Sequence, residues 1–137
     1  MTGASKPFVY STRIRFADTD ASGRIHNAAI FPHFEAAEAE FFRAHGHPYT
    51  DLETRDVVFP RVHVEASFQA ALRAEDPVEI QVAVARVGQR SYSLAFTVLC
   101  RGVKAASGRI TAAAMSRRTQ RACALPEALA ATLRGRL

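Results

Sequence analysis

The sequence predicts an α+β domain in which one long amphipathic helix lies over an antiparallel sheet of about five strands. Three observations carry this expectation. An apolar stripe of helical period runs from Ile30 to Phe42. One segment before it and four after it alternate with the period of two that marks half-buried strands. The last three of these segments are separated only by Gly88-Gln89 and Arg101-Gly102-Val103, short glycine-bearing turns that suit an antiparallel meander.

Phe8 to Ala17 opens the chain, with Phe8, Tyr10, Thr12, Ile14 and Phe16 on one side of a predicted strand. The helix follows. Ile30, Phe34, Ala37 and Phe41 recur at i, i+4, i+7 and i+11, with Phe31, Glu38 and Phe42 beside them. Burying its phenylalanines is worth roughly 2–3 kcal/mol each, so this face belongs in the core. Glu35, Glu40 and Arg43 fall on the wetter flank. Asn27 is the expected N-cap and Gly46 the C-cap. Pro32, beyond the first turn on that count, bends the entry or marks where the regular helix begins.

HPYTDLETRD then reads as a connecting loop. Val57 to Ala70 is the longest strand segment, with Val58, Pro60, Val62, Val64, Ala66 and Phe68 on one side. Val78 to Val87, Ser91 to Cys100 and Lys104 to Met115 form the meander, and Pro126 opens a short helix over Glu127 to Leu133. A sheet covered on one face leaves its edges open, and Val57–Ala70 at an edge invites pairing with a second copy, so a dimer at least is expected.

The 137 residues suffice for one domain with a core and are short for two. No apolar run reaches membrane-spanning length, and MTGASKPFVY carries no apolar leader segment. Cys100 and Cys123 are too few for a disulfide framework and lack metal-ligand spacing, so a reducing cytoplasm is expected. His45 and His47, two histidines beside a glycine without further ligands, read as solvent-facing. Through residue 100 the chain has 10 basic and 12 acidic side chains; from Arg101 onward it has 8 and 1. The carboxy-terminal part is therefore where an anion docks, or simply a solvated basic surface. Arg117, Arg118, Arg121, Arg134 and Arg136 come without zinc spacing, a helix-turn-helix signal or an aromatic-rich basic strand, so no nucleic-acid partner is expected. With no GxSxG, GxGxxG or P-loop, serine-hydrolase and nucleotide-cofactor chemistry is excluded, and no cofactor is expected.

The chemistry concentrates in Asp18-Thr19-Asp20-Ala21-Ser22-Gly23, two carboxylates immediately before a turn. Asp and Ser are also ordinary turn formers, and that reading stands beside the functional one. Asp20 is the better placed for function, because Asn27 at the helix start is seven residues on, where unpaired N–H groups and the positive end of the dipole face the same volume. Such donors suit a developing oxyanion. A carboxylate with a pKa of about 3.9 is ionised but a weak base, so a good leaving group is favoured. A thiol with a pKa near 8.5 departs as thiolate without an acid to protonate it; an amine does not.

R-I-R-F-A-D-T-D-A-S-G-R-I-H-N followed by F-E-A-A-E-A-E-F-F resembles the 4-hydroxybenzoyl-CoA thioesterase-like family of hotdog-fold acyl-CoA thioesterases. F-P-R-V-H-V-E-A-S-F, E-D-P-V-E-I, Q-R-S-Y-S-L-A-F and L-P-E-A-L resemble its later blocks in the same order, so the likeness spans nearly the whole chain. The resemblance implies a hotdog fold, dimers and often tetramers, and active sites at subunit interfaces. It implies an acyl-CoA substrate, with Asp20 as nucleophile or as base activating water, and the oxyanion N–H at Asn27. It places Val58 and Phe59 in the pocket of the neighbouring subunit, Glu35 near the acyl group, and Arg90 in a basic turn against coenzyme A phosphates. A non-hydrolytic hotdog protein that only binds acyl-CoA or acyl carrier protein is the alternative.

Overall fold

A computed structural model describes residues 7–53 and 55–137. Strand β1 (Phe8–Arg13) leads through a turn and a hairpin into α1 (Ile30–Ala44). A short α2 (Tyr49–Glu53) and a two-residue β2 (Val57–Val58) precede β3 (Arg61–Phe68). The meander β4 (Pro77–Val87), β5 (Ser91–Cys100) and β6 (Val103–Ala113) follows, then β7 (Met115–Ser116) and α3 (Glu127–Arg134). The five long strands form one antiparallel sheet in the order β1-β4-β5-β6-β3, so β3 is an edge as expected. β2 and β7 make a separate two-stranded ladder.

The helix lies on one face of this sheet because both surfaces are apolar in register. Tyr92, Leu94, Phe96 and Val98 of β5 stand opposite Ala112, Ile110, Gly108 and Ala106 of β6, and Val82 and Ile80 of β4 continue the layer toward β1. Against them α1 buries Ile30, Phe34, Ala37, Phe41 and Phe42, together with His33 and Glu38. The Phe34 ring stacks on Phe96 at a centroid distance of 4.6 Å. The helix comes this close because residue 108 is glycine: a Cβ there would lie 2.4 Å from Phe34 Cε2 and 2.5 Å from the Glu65 carbonyl oxygen. α3 adds Leu129 and Leu133 to the same core.

Three element boundaries differ from the sequence expectation, each for a local reason. The first strand ends at Arg13, opposite Pro77, which has no N–H to continue a ladder. The Asp18 carboxylate then takes the Arg15 amide at 2.8 Å, closing a turn that leaves Phe16 82% exposed instead of in the core. The expected strand Val57–Ala70 breaks at Phe59-Pro60, and a bulge at Val62 sets both Arg61 and Val62 opposite Ala112. The bulge shifts the alternation, so Arg61 shares the helix-facing side with Val64, Ala66 and Phe68. Pro32 falls inside the first turn of α1, where the chain enters through a 3-10 turn, Asn27–Ala29, and an N–H is not needed for an i−4 bond. At the other end Gly46 serves as expected: its N–H donates to the Arg43 carbonyl while His47 N–H donates to Phe42.

His45 and His47 are not solvent-facing. His45 Nδ1 pairs with the Phe41 carbonyl at 2.7 Å, and His47 Nε2 with Thr132 Oγ1 at 2.9 Å, tying the end of α1 to α3. No helix among the described residues is long and apolar enough to cross a membrane.

Replacing Gly108 by alanine is expected to cost about 1–3 kcal/mol, because both the Phe34 ring and the β3 backbone must move. A thermal or urea unfolding curve measures it; an unchanged midpoint would show that the helix does not sit against this strand.

Candidate active site

The stretch between β1 and α1 folds as a miniature hairpin. Its base rung is the His26 amide donating to the Asp18 carbonyl at 2.7 Å, followed by a Thr19–Ile25 bridge and the Asp20 amide donating to Arg24 at 3.0 Å. Gly23, at φ +79°, turns the tip, a conformation a side chain strains to adopt. Asp20 Oδ1 accepts from the Ser22 hydroxyl at 2.6 Å and from the Ser22 amide at 2.8 Å. These bonds, chiefly the hydroxyl, hold the Asp20 carboxyl below the usual carboxylate range, so it is ionised at neutral pH. Its second oxygen makes no hydrogen bond among the described residues.

The hairpin delivers the chain to the helix mouth. Ala28 N–H is satisfied by Asn27 Oδ1 at 2.9 Å and His26 Nδ1 at 3.2 Å, and Ala29 N–H by the His26 carbonyl at 2.9 Å. Asn27 N–H finds no acceptor among the described residues. Asn27, Ala28 and Phe31 line a cleft whose opposite wall is Val64, Glu65, Ala66 and Phe68 of β3. A second cleft, sharing Phe68, runs back along Arg24, Ile25 and Leu72. Asp20 lines neither of them; it stands exposed on the hairpin beside them.

The remaining sequence-predicted residues gather elsewhere. Glu35 is exposed on α1 and its Oε2 accepts from Arg61 Nε at 3.1 Å. Val58 pairs with Met115 in the β2–β7 ladder, and Phe59 meets Tyr92 edge-on at 6.0 Å. Arg90 is exposed in the β4–β5 turn, its carbonyl accepting the Ala114 amide at 2.7 Å. In one chain, then, Asp20 lies near the tip of the hairpin and Asn27 just past its base, while Glu35, Val58, Phe59 and Arg90 form a second group near the opposite end of β3.

Two further polar arrangements are buried beside α1. Glu38, fully buried, meets Arg61 by Oε1–Nη2 at 2.8 Å and Oε2–Nη1 at 3.0 Å, and accepts the Tyr92 hydroxyl at 2.5 Å; Tyr49 OH lies 3.4 Å from Arg61 Nη2. Burial pushes the Glu38 carboxyl up, opposed by Arg61 and Tyr92. The second is His33 Nε2, 2.8 Å from Asp18 Oδ2. Both were signalled in sequence by a polar residue on a helical face that packing requires to be apolar.

A model of the thioesterase-like superfamily matches residues 14–133. The chain belongs to this superfamily. Among curated members, a 1,4-dihydroxy-2-naphthoyl-CoA hydrolase of Prochlorococcus marinus is 27% identical over 124 residues, covering 85% of this chain and 82% of that protein. The acyl-CoA thioester hydrolase YbgC of Escherichia coli is 30% identical over 90 residues, covering 66% of each. The solved structure of a gentisyl-coenzyme A thioesterase superposes with a TM-score of 0.84 at 25% identity, over 91% of this chain and 98% of that one. The fold of this superfamily member is accordingly the hotdog, its sheet wrapped on α1, and its class is that of the thioester hydrolases.

Burial pushes the Asp18 carboxyl up, but the Arg15 amide and His33 outweigh it and hold it below its ordinary value of 3.8. The folded carboxylate thus binds a proton less readily than the unfolded one. Its stabilisation is complete above that ordinary value and is lost as pH falls through the folded value. Asp18→Asn is therefore expected to flatten the acid limb of a plot of urea midpoint against pH below about 4, relative to the wild type; parallel curves would refute the ionic role.

Proposed function

We propose that the chain hydrolyses an acyl-CoA thioester, with Asp20 attacking the carbonyl or activating water and Asn27 N–H receiving the oxyanion. The observation that carries this reading is an Asn27 N–H without an acceptor among the described residues, at a cleft, just past a hairpin that carries an ionised Asp20 whose second oxygen makes no bond among them. The N–H strengthens its bond as the carbonyl oxygen becomes negative, the differential binding that lowers a barrier. The departing sulfur leaves as thiolate and takes its proton from water, so no general acid is required. If Asp20 attacks, a mixed anhydride forms and water cleaves it; if water attacks, Asp20 takes its proton. Phe31 and Phe68 offer ring faces suited to an aryl group like those named for the naphthoyl and gentisyl relatives.

The division of the predicted residues into two groups supports a site built between copies. Edge strand β3 exposes Val62, Val64 and Phe68. Antiparallel pairing of two such edges exchanges their ends, bringing Val58, Phe59 and Arg90 of a second copy toward the Asn27 cleft of the first. Arg90 brings cations with it. Arg117, Arg118 and Arg121 are exposed in the turn after β7, the strand that pairs with Val57–Val58, where Asp56 accepts the Arg118 amide. Such a group suits the phosphates of coenzyme A.

Asp20→Asn should keep the wild-type unfolding midpoint and lose at least about 100-fold in kcat, the usual worth of a reacting carboxylate; undiminished turnover would overturn its role. Replacing Arg90, Arg117 and Arg118 together by alanine should raise KM for an acyl-CoA by about tenfold, a modest loss because these side chains are exposed. The same variant should leave the N-acetylcysteamine thioester of that acid unaffected, since it has no phosphate. Equal effects on both esters would remove the arginines from the phosphate site.

A further inference from the structure

Asp20 is held by its hairpin, and the hairpin has to be held by something else. Its own bonds, the His26–Asp18 rung, the Thr19–Ile25 bridge and the Asp20–Arg24 bond, fix its internal shape. Ile25, whose amide donates to the Leu72 carbonyl at 2.8 Å, ties one strand of it to the loop after β3, and none of these bonds joins it to a side chain of α1. Asn27, whose N–H has no acceptor among the described residues, belongs to the turn that starts the helix, so the tilt of the hairpin against α1 decides how far the Asp20 carboxylate stands from that N–H. Among the described residues, His33 is the α1 side chain that hydrogen-bonds to the hairpin. His33, on the first turn of α1, is only 7% exposed, and its Nε2 lies 2.8 Å from Asp18 Oδ2. The same Asp18 oxygen takes the Arg15 amide at 2.8 Å, so His33 and the incoming chain grip the base rung together. A buried imidazole with one carboxylate partner is costly to place on a helix face that otherwise carries Ile30, Phe34 and Ala37.

We propose that His33 is a positioning residue for catalysis: through Asp18 it sets the angle of the hairpin on α1 and so the separation of the Asp20 carboxylate from the Asn27 N–H. The proposal rests on Asp20 being the reacting carboxylate. His33 touches no substrate. Because Asp18 is ionised, Nε2–H is the donor, and glutamine, whose Nε2 also carries hydrogens, can replace it, whereas phenylalanine fills the space and donates nothing.

The experiment compares His33→Phe, His33→Gln, Asp18→Asn and Asp20→Asn, each as the full chain, by steady-state hydrolysis of one acyl-CoA and by hydrogen exchange at the His26 amide. Loss of the grip should lower kcat by about 10- to 100-fold, the cost of misplacing a reacting group by about an ångström. KM should stay within about twofold, since the cleft is untouched. His33→Gln should recover most of kcat. The double variant His33→Phe/Asp18→Asn should be no slower than either single one, as expected of two groups in one interaction. The His26 amide should exchange faster in His33→Phe than in His33→Gln. Wild-type kcat in His33→Phe, with Asp20→Asn inactive, overturns the positioning role and leaves the reading of Asp20 standing. Equal losses in the Phe and Gln variants that follow the folded fraction show a merely structural histidine and overturn it as well. Full turnover by Asp20→Asn removes the foundation of both.

Discussion

The structure depends on one close approach, that of α1 to the sheet where Phe34 crosses Gly108. With hydrogen in place of a side chain at 108, the ring lies between the helix and the β5–β6 pair, stacked on Phe96 and turned edge-on to Phe31 at 5.9 Å. Interiors are packed too densely for such a contact to be adjusted continuously. Setting the helix at this height also sets where its amino end and its middle fall. The amino end opens against Val64, Ala66 and Phe68, and Glu38 meets Arg61 near the start of β3.

The Glu38–Arg61 pair is the second fixed point. Taking two charges out of water costs several kcal/mol per ion, and the pair regains this only through good geometry and added hydrogen bonds. Here the additions come from Tyr92 and Glu35. Such a pair is weak evidence for stability and better evidence for register: Arg61 reaches Glu38 only because the Val62 bulge turns it to the helix side. In this way a local irregularity in an edge strand is locked to the middle of the central helix. The Phe59-Pro60 segment just before it is held in turn by the Tyr92 ring.

The large elements were legible because each is written in a long periodic pattern. Helix α1, the β4–β5–β6 meander and α3 lie within a residue or two of their expected places. Gly46 ends α1 as its position suggested. What periodicity could not show was any outcome decided by a single polar contact. The alternation that put Phe16 in a strand was interrupted by the Asp18 side chain closing a turn on Arg15. The alternation of Val57–Ala70 was interrupted by a bulge that a buried carboxylate on α1, 23 residues earlier in the chain, makes worthwhile. Of the candidate site, Asp20 and Asn27 were proposed from their spacing ahead of a helix; Asn27 lies in the turn that opens it and Asp20 is exposed on the hairpin before it. Glu35, Val58, Phe59 and Arg90 came from family resemblance alone, and one chain does not bring them to that mouth.

The roles proposed for Asp20 and Asn27 require a carbonyl to sit between a carboxylate bonded to Ser22 and a backbone N–H that has no acceptor among the described residues. The most direct measurement is a crystal structure with a coenzyme A analogue in which a methylene replaces the sulfur, so that a ketone stands where the thioester would be. The account places the ketone oxygen about 2.7–3.1 Å from Asn27 N, the range expected of an oxyanion donor, with the Asp20 carboxylate facing the carbonyl carbon. An analogue seated with its ketone away from the Asn27 amide, or with Asp20 turned from it into solvent, would contradict the account.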